Sequence, residues 1–296
     1  MISGAVFAAL ASLCWGAATV MSKSALSQFA PLTLLVVQLA VSVLCLWIVI
    51  WWRRLPQASS VELLRVAWLG LLEPGLAYML GLFGLAQVGA AQATLIQSAE
   101  GIMIVLVSAV VFRQRPSIRF LILSLLALAG LMVALDLSVS MLSLRHGVSA
   151  EVLIALATLV AAVYVVLSGA IAGTADAIVI VAWQQSVALV FALFMLAARR
   201  IVDPAMSAPP TGLWPWLIAG GSGAVQYALA FTLYMMALRR IPANTAGAFL
   251  TLTPVFGLVG ATLFLHETLS ATQAMGAAAT LYFVWRISRE AMMTSG

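Results

Sequence analysis

Apolar runs of about twenty residues recur along this chain from end to end. They are separated by short clusters of Arg, Pro and small polar residues. The spacing predicts helices over 3–22, 31–52, 65–86, 90–112 and 117–137, then 150–170, 177–198, 213–237, 243–265 and 270–287. Each run matches the length that crosses about 30 Å of hydrocarbon as a helix, and each is too long and too evenly apolar for a barrel strand. A backbone in lipid must satisfy its own polar groups, so the predicted fold is all-α integral membrane with ten transmembrane helices. The Pro-rich "RRIVDPAMSAPPTG" (199–212) reads as a surface connection.

The ten spans fall into two sets of five that resemble each other. "LASLCWGAATVMSK" (10–23) lies against "LATLVAAVYVVLSG" (156–169), and at the same offset Gln38 meets Gln184 and Arg53-Arg54 meets Arg199-Arg200. After an insertion in the second half, Gly70 meets Gly223, Glu73 meets Gln226, Leu85 meets Leu238 and Glu100 meets Thr253. The expected organisation is a duplicated five-helix unit, 1–145 and 146–296. An odd number of helices per unit turns the second unit upside down. Arg53, Arg54, Arg65, Arg113, Arg115, Arg119, Arg239, Arg240, Arg286 and Arg289 gather on one side, against Lys23, Arg145, Arg199 and Arg200 on the other. The positive-inside rule then puts both termini in the cytoplasm. Inverted repeats that meet at the midplane are a transporter architecture.

Composition sharpens this picture by exclusion. The chain is 64% hydrophobic and 8% charged, with a mean hydropathy of +1.14, against roughly 25% charged residues in a soluble domain. The net charge of +5 comes from Arg at segment ends and is no sign of nucleic-acid binding. Cys14 and Cys45 both sit in apolar runs and behave as small hydrophobes. The N-terminus lacks a basic start and a cleavage site, so the first run is expected to stay as a helix. The two histidines, His146 and His266, fall in predicted loops, and the sequence carries no metal-ligand cluster, Gly-rich phosphate loop or Ser/His/Asp constellation. No cofactor is implied, no enzyme is expected, and the energy source is a gradient of substrate or ions.

Glu100 is the only charged residue between Glu73 and Arg113. An acid at the bilayer centre costs about 2.5–3.5 kcal/mol on insertion scales, so it is expected to face a cavity, where it exchanges protons or orients a substrate ammonium. The alternative is a protonated carboxyl bonded to a neighbouring helix. Gln97 shares its helix face at i, i+3, and Glu73, with Gln226 as its repeat mate, faces the same space. Pro74 is expected to kink the third helix, as a gate or equally as a packing kink of no consequence, and Pro254 is expected to hinge the ninth, so both are candidates for gating or coupling, as are the two acids. The candidate substrate-binding set is Trp15, Tyr78, Leu82, Gln97, Glu100, Tyr164, Trp183, Gln226 and Tyr234, with Tyr227 in the same aromatic group. Tyr and Trp both stack and hydrogen-bond, which suits an apolar pocket with a few polar anchors, although ordinary core packing competes as an explanation for each ring. Trp47, Trp51, Trp52, Trp214, Trp216 and Trp285 fall at span ends and read as an interfacial belt. Gln38, Gln184 and Gln185 are expected to bond across helices. Lys23 either meets a substrate carboxylate or snorkels to headgroups.

Several of these features resemble the drug/metabolite transporter superfamily in its EamA-type branch. They are Trp15, Gly16 and Lys23 in "WGAATVMSK", the link "ALRRIPANTAG" (237–247), and "AFLTLTPVFGLVGATLFLHETLS" with Pro254 and Leu265-His266-Glu267. The first half departs from the pattern, with Gly101 in the slot of Pro254 and Arg113-Gln114 in place of a Gly-Glu turn. The resemblance implies a ten-helix secondary transporter of the bacterial inner membrane working by alternating access. It extends to the YddG-like exporters of aromatic and other neutral amino acids. The partners so implied are a small neutral substrate and membrane lipid; a proton is a further candidate partner through Glu100 alone, and the coupling ion stays open. Exchange of another metabolite or drug, a gradient-independent facilitator and a lipid scramblase stay open beside it.

Overall fold

The computed structural model describes residues 3–56, 60–87, 96–97, 99–111, 117–134, 150–202, 210–257 and 270–294. Helices account for the regular structure among them. In chain order these are α1 (Gly4–Ala25), α2 (Pro31–Arg53), α3 (Leu64–Gln87), α4 (Glu100–Val111) and α5 (Ile118–Ala134). The second half repeats the series as α6 (Ala150–Ile171), α7 (Ala177–Val202), α8 (Leu213–Leu238), α9 (Ala243–Phe249, continued over 252–257) and α10 (Ala271–Thr294). Of these, α1, α2, α3, α6, α7 and α8 are each long and apolar enough to cross a membrane. The outer surface carries Leu44, Ile48, Val110, Leu125, Val190 and Phe194 in exposed positions, an apolar coat that only lipid can wet.

The two halves exchange helices. α8 and α9 pack against α1, while α8 and α7 pack against α2; in the mirrored arrangement α3 and α4 pack against α6, and α3 packs against α7. The result is two interlocked bundles, one built on α1, α2, α8 and α9 and the other on α6, α7, α3 and α4, with α5 and α10 packed against each other. Small residues set the closest approaches. A Cβ added at Gly70 would stand 1.8 Å from the backbone oxygen of Gln184, and one at Gly223 would stand 2.4 Å from that of Gln38. Gly70 and Gly223 are repeat mates, and so are Gln184 and Gln38. One glycine-on-backbone crossing is therefore made twice, once in each bundle.

The third helix of each half is broken at one place. In α3 a turn of π-helix occupies Leu71–Leu76, with Glu73 in extended backbone (φ −146°, ψ 129°) and Pro74 next to it. In α8 the π-turn is Ala224–Leu229, the segment that stands opposite in the repeat register. Proline accounts for the first break, since Pro74 has no N–H to continue the ladder. In α8 the break is held from outside: Gln185 Nε2 donates to the Tyr227 carbonyl at 2.8 Å, and the Ser42 hydroxyl donates to Gln185 Oε1. Broken helices near the middle of a membrane are tolerated where other protein groups take up the freed backbone.

Candidate functional site

The two breaks turn aromatic side chains towards a common centre. Phe231 of α8 is the hub: its ring lies 5.3 Å from Trp15 of α1, 5.9 Å from Tyr78 of α3, 6.0 Å from Tyr164 of α6 and 6.1 Å from Tyr227 of α8. Tyr234 closes on Trp15 at 5.2 Å, and Tyr78 on Tyr227 at 4.8 Å. Most of these pairs meet edge to face or tilted, the arrangement ring quadrupoles favour. Four helices from both halves thus build one aromatic cage.

Both acids lie at this cage. Glu73 is buried, and its charge interacts with that of Glu100 and acts on Tyr78, Tyr164, Tyr227 and Tyr234. Glu100 acts in turn on Tyr234 and Tyr78. α3 and α4 each pack against α6, which keeps the two acids within electrostatic reach of each other. The described stretch of α4 runs from Glu100 to Val111; residues 96–97 before it are helical as well, and the Ala99 N–H bonds to the Ile96 carbonyl.

The cage holds hydrogen-bonding groups that the protein itself leaves open. Trp15 Nε1 and the Tyr234 hydroxyl are buried without a partner, whereas the Tyr164 hydroxyl donates to Gln184 Oε1 at 2.9 Å. Gln226 accepts from the Ser22 hydroxyl at 2.7 Å and lies beside Tyr78. Leu82 is buried in the same core.

Gln97 is exposed. Trp183 packs edge to face on Trp47 at 5.4 Å between α7 and α2. Trp47 itself departs from the interfacial position that its place in the sequence suggests: it is half-buried, and its Nε1 donates to Ser186 at 3.0 Å. Trp51, Trp52, Trp214 and Trp285 are exposed, as residues of a lipid belt would be. Lys23 donates to the Leu85 carbonyl at 2.9 Å, tying the end of α1 to the end of α3. Gln92, Thr94, Ser98, His146 and His266 lie outside the described residues.

Two contributors escaped the sequence reasoning. Phe231 is the repeat mate of Tyr78, so the register could have found it. Ser22, which bridges Gln38 and Gln226, is the mate of Ser168 and could have been found in the same way.

α9 carries a break of its own. The chain leaves the helix at Leu250-Thr251 and resumes at 252–257. Pro254 offers no N–H to the Leu250 carbonyl, which accepts instead from the Thr253 N–H at 3.0 Å. Pro254→Ala restores the missing donor, so α9 should straighten and transport should slow by about tenfold, the size of a barrier change near 1.4 kcal/mol. Initial rates of substrate flux into proteoliposomes measure this, and unchanged kinetics would argue against a hinge at Pro254.

The EamA-like transporter family matches this sequence over residues 2–135 and again over 148–289. No curated protein matches it significantly. Among solved structures, the crystal structure of a protein 18% identical in sequence superposes with a TM-score of 0.77, over 99% of this chain and 100% of its own. That likeness concerns the fold alone.

Proposed function

Because this chain belongs to the EamA-like transporter family, we propose that it is a secondary transporter that exports small neutral metabolites, foremost aromatic and other neutral amino acids, by alternating access. Its setting is the bacterial inner membrane with both termini in the cytoplasm, and its two inverted units are 1–145 and 146–296. The observation that carries this reading is the cage on Phe231, with Glu73 and Glu100 at its edge and two unpartnered donors inside it. Ring edges suit an aromatic or apolar side chain. The carboxylates suit an ammonium group. Trp15 Nε1 and the Tyr234 hydroxyl suit a carboxylate, so each part of an amino acid has a partner of matching chemistry. No cofactor takes part, and no bond of the substrate is made or broken.

The coupling role falls to Glu100, the acid of α4 beside the cage. The test is counterflow of labelled Trp, Phe, Thr and Met into liposomes holding the purified protein, with and without a proton gradient. One proton exchanged per substrate gives about tenfold accumulation for each pH unit, since one unit is worth 1.36 kcal/mol. Glu100→Gln should retain saturable exchange and lose that accumulation. Accumulation by the variant equal to the wild type's at every gradient would remove Glu100 from coupling, and no flux of any amino acid would remove the substrate class.

A further inference from the structure

The two halves carry one set of three polar groups in one register, yet only in one copy are the three bonded to one another. Ser22, Gln38 and Gln226 form the first copy. Gln38 Nε2 donates to Ser22 Oγ at 2.8 Å, and the Ser22 hydroxyl donates to Gln226 Oε1 at 2.7 Å. Gln38 Nε2 also donates to Ser222 Oγ at 2.8 Å. These bonds pin the π-turn of α8 to α1 and α2.

The repeat mates of the three are Ser168, Gln184 and Glu73, and they sit on the mirrored elements. The π-turn of α3 packs against α6 and α7, as that of α8 packs against α1 and α2. The underlying glycine crossing is also the same, Gly70 on Gln184 and Gly223 on Gln38. In this second copy, however, Gln184 Nε2 is buried without a hydrogen-bond partner, and Ser168 Oγ, buried near the Tyr164 hydroxyl, makes no bond of normal length; that hydroxyl is given to Gln184 Oε1 instead. Ser168 is 0% and Gln184 1% exposed, so water does not serve them from the surface. A buried donor left unmet loses its hydration and gains nothing in return, which is costly enough that native proteins rarely keep one without a use. Two such atoms at the positions where the other half is fully bonded call for a shared cause.

We propose that the two copies are the two positions of one latch. In the conformation described, the Ser22–Gln38–Gln226 copy is fastened and holds the turn of α8. In the oppositely facing conformation, the Ser168–Gln184–Glu73 copy fastens instead. Gln184 Nε2 then donates to Ser168 Oγ, the Ser168 hydroxyl donates to a Glu73 carboxyl oxygen, and the first copy lets go. A carboxyl oxygen accepts as the Gln226 amide oxygen does, so the exchange of Glu for Gln keeps the bond pattern. The inference rests on alternating access, because inverted halves exchange shapes when such a transporter turns over.

The test compares two repeat-mate substitutions of the same chemistry. Ser22→Ala removes two bonds present in this conformation and should shift the population towards the opposite one by at least about fivefold, the factor of a single lost buried hydrogen bond. Ser168→Ala loses no bond of normal length here and should shift the population by about the same factor the other way. The double variant should return to the wild-type ratio. Pulsed electron paramagnetic resonance reads the ratio as two distances between spin labels at Ser27→Cys and Gln87→Cys, in protein carrying Cys14→Ala and Cys45→Ala and held in lipid nanodiscs. Ser27 and Gln87 are exposed and lie on different bundles.

Opposite shifts support the latch. Shifts in one direction, or none, overturn it while leaving alternating access in place. A single distance in the wild type and every variant overturns both. If Ser22→Ala does not fold, Ser168→Ala decides alone, since a structural serine with no bond to lose would leave the ratio unmoved.

Discussion

Gly70→Ala and Gly223→Ala are each expected to leave little or no monodisperse protein after detergent extraction. The new methyl would have to occupy space 1.8 Å and 2.4 Å from a backbone oxygen, of Gln184 and Gln38 respectively. Overpacking in a core ordinarily costs about 1–3 kcal/mol because side chains rotate away from the intruder. Here the obstructing atoms are the backbone of a neighbouring helix, so whole helices must separate, and the buried amides and serines at the crossing lose their bonds with them. The expected cost lies above that range for both variants. Size-exclusion profiles and thermal midpoints in detergent measure it, with Gly173→Ala as the comparison, since a Cβ there meets nothing within 4 Å. Recovery of either crossing variant with a wild-type midpoint would show that the helices can part without penalty.

The second large effect is expected at Phe231. Phe231→Ala removes the ring on which Trp15, Tyr78, Tyr164 and Tyr227 converge. Truncating a buried phenylalanine costs about 3–5 kcal/mol, a loss that includes the cavity left behind. The cage loses its shape with it, so saturable flux should vanish even in the fraction that folds. Phe231→Leu keeps most of the volume and none of the ring edges; it should stay folded and show a raised KM for aromatic substrates. Phe194→Ala, at a ring 66% exposed on the outer surface, is the matched control and should change neither property. Thermal unfolding followed by tryptophan fluorescence, together with counterflow on the same preparations, separates loss of fold from loss of site.

Much of this architecture was legible before any coordinates. The predicted span 31–52 became α2 at Pro31–Arg53, and 177–198 became α7 at Ala177–Val202, because a twenty-residue apolar run in lipid has one way to satisfy its backbone. The register that pairs Gly70 with Gly223 and Gln38 with Gln184 reappears in space as one crossing made twice. Trp15, Tyr78, Tyr164 and Tyr234 were singled out as aromatics in mid-span, and the fold gathers all of them at one centre. Gln97 and Trp183 had equal standing in the sequence; the structure leaves the first exposed and sets the second edge to face on Trp47. Helical spacing gives the face a residue occupies but not the neighbour that face meets.

The sequence by itself determined the solvent of this protein, the placement of the helices among the described residues to within a few residues at most ends, and the duplication of its halves. All three depend on hydropathy over a window or on identity at a fixed offset, which are properties of the chain alone. Only the tertiary structure decided which helices meet: α3 and α4 leave their own half to pack on α6, and α8 and α9 leave theirs to pack on α1. That exchange brings Glu73 within electrostatic reach of Glu100 and bonds Gln38 to Ser22 while Gln184 Nε2 stays without a partner. The physical reason is that apolar helices in lipid have no hydrophobic face to direct their pairing. Their partners are chosen by close packing at small residues and by a few buried polar groups, and both take effect only when two helices are already side by side.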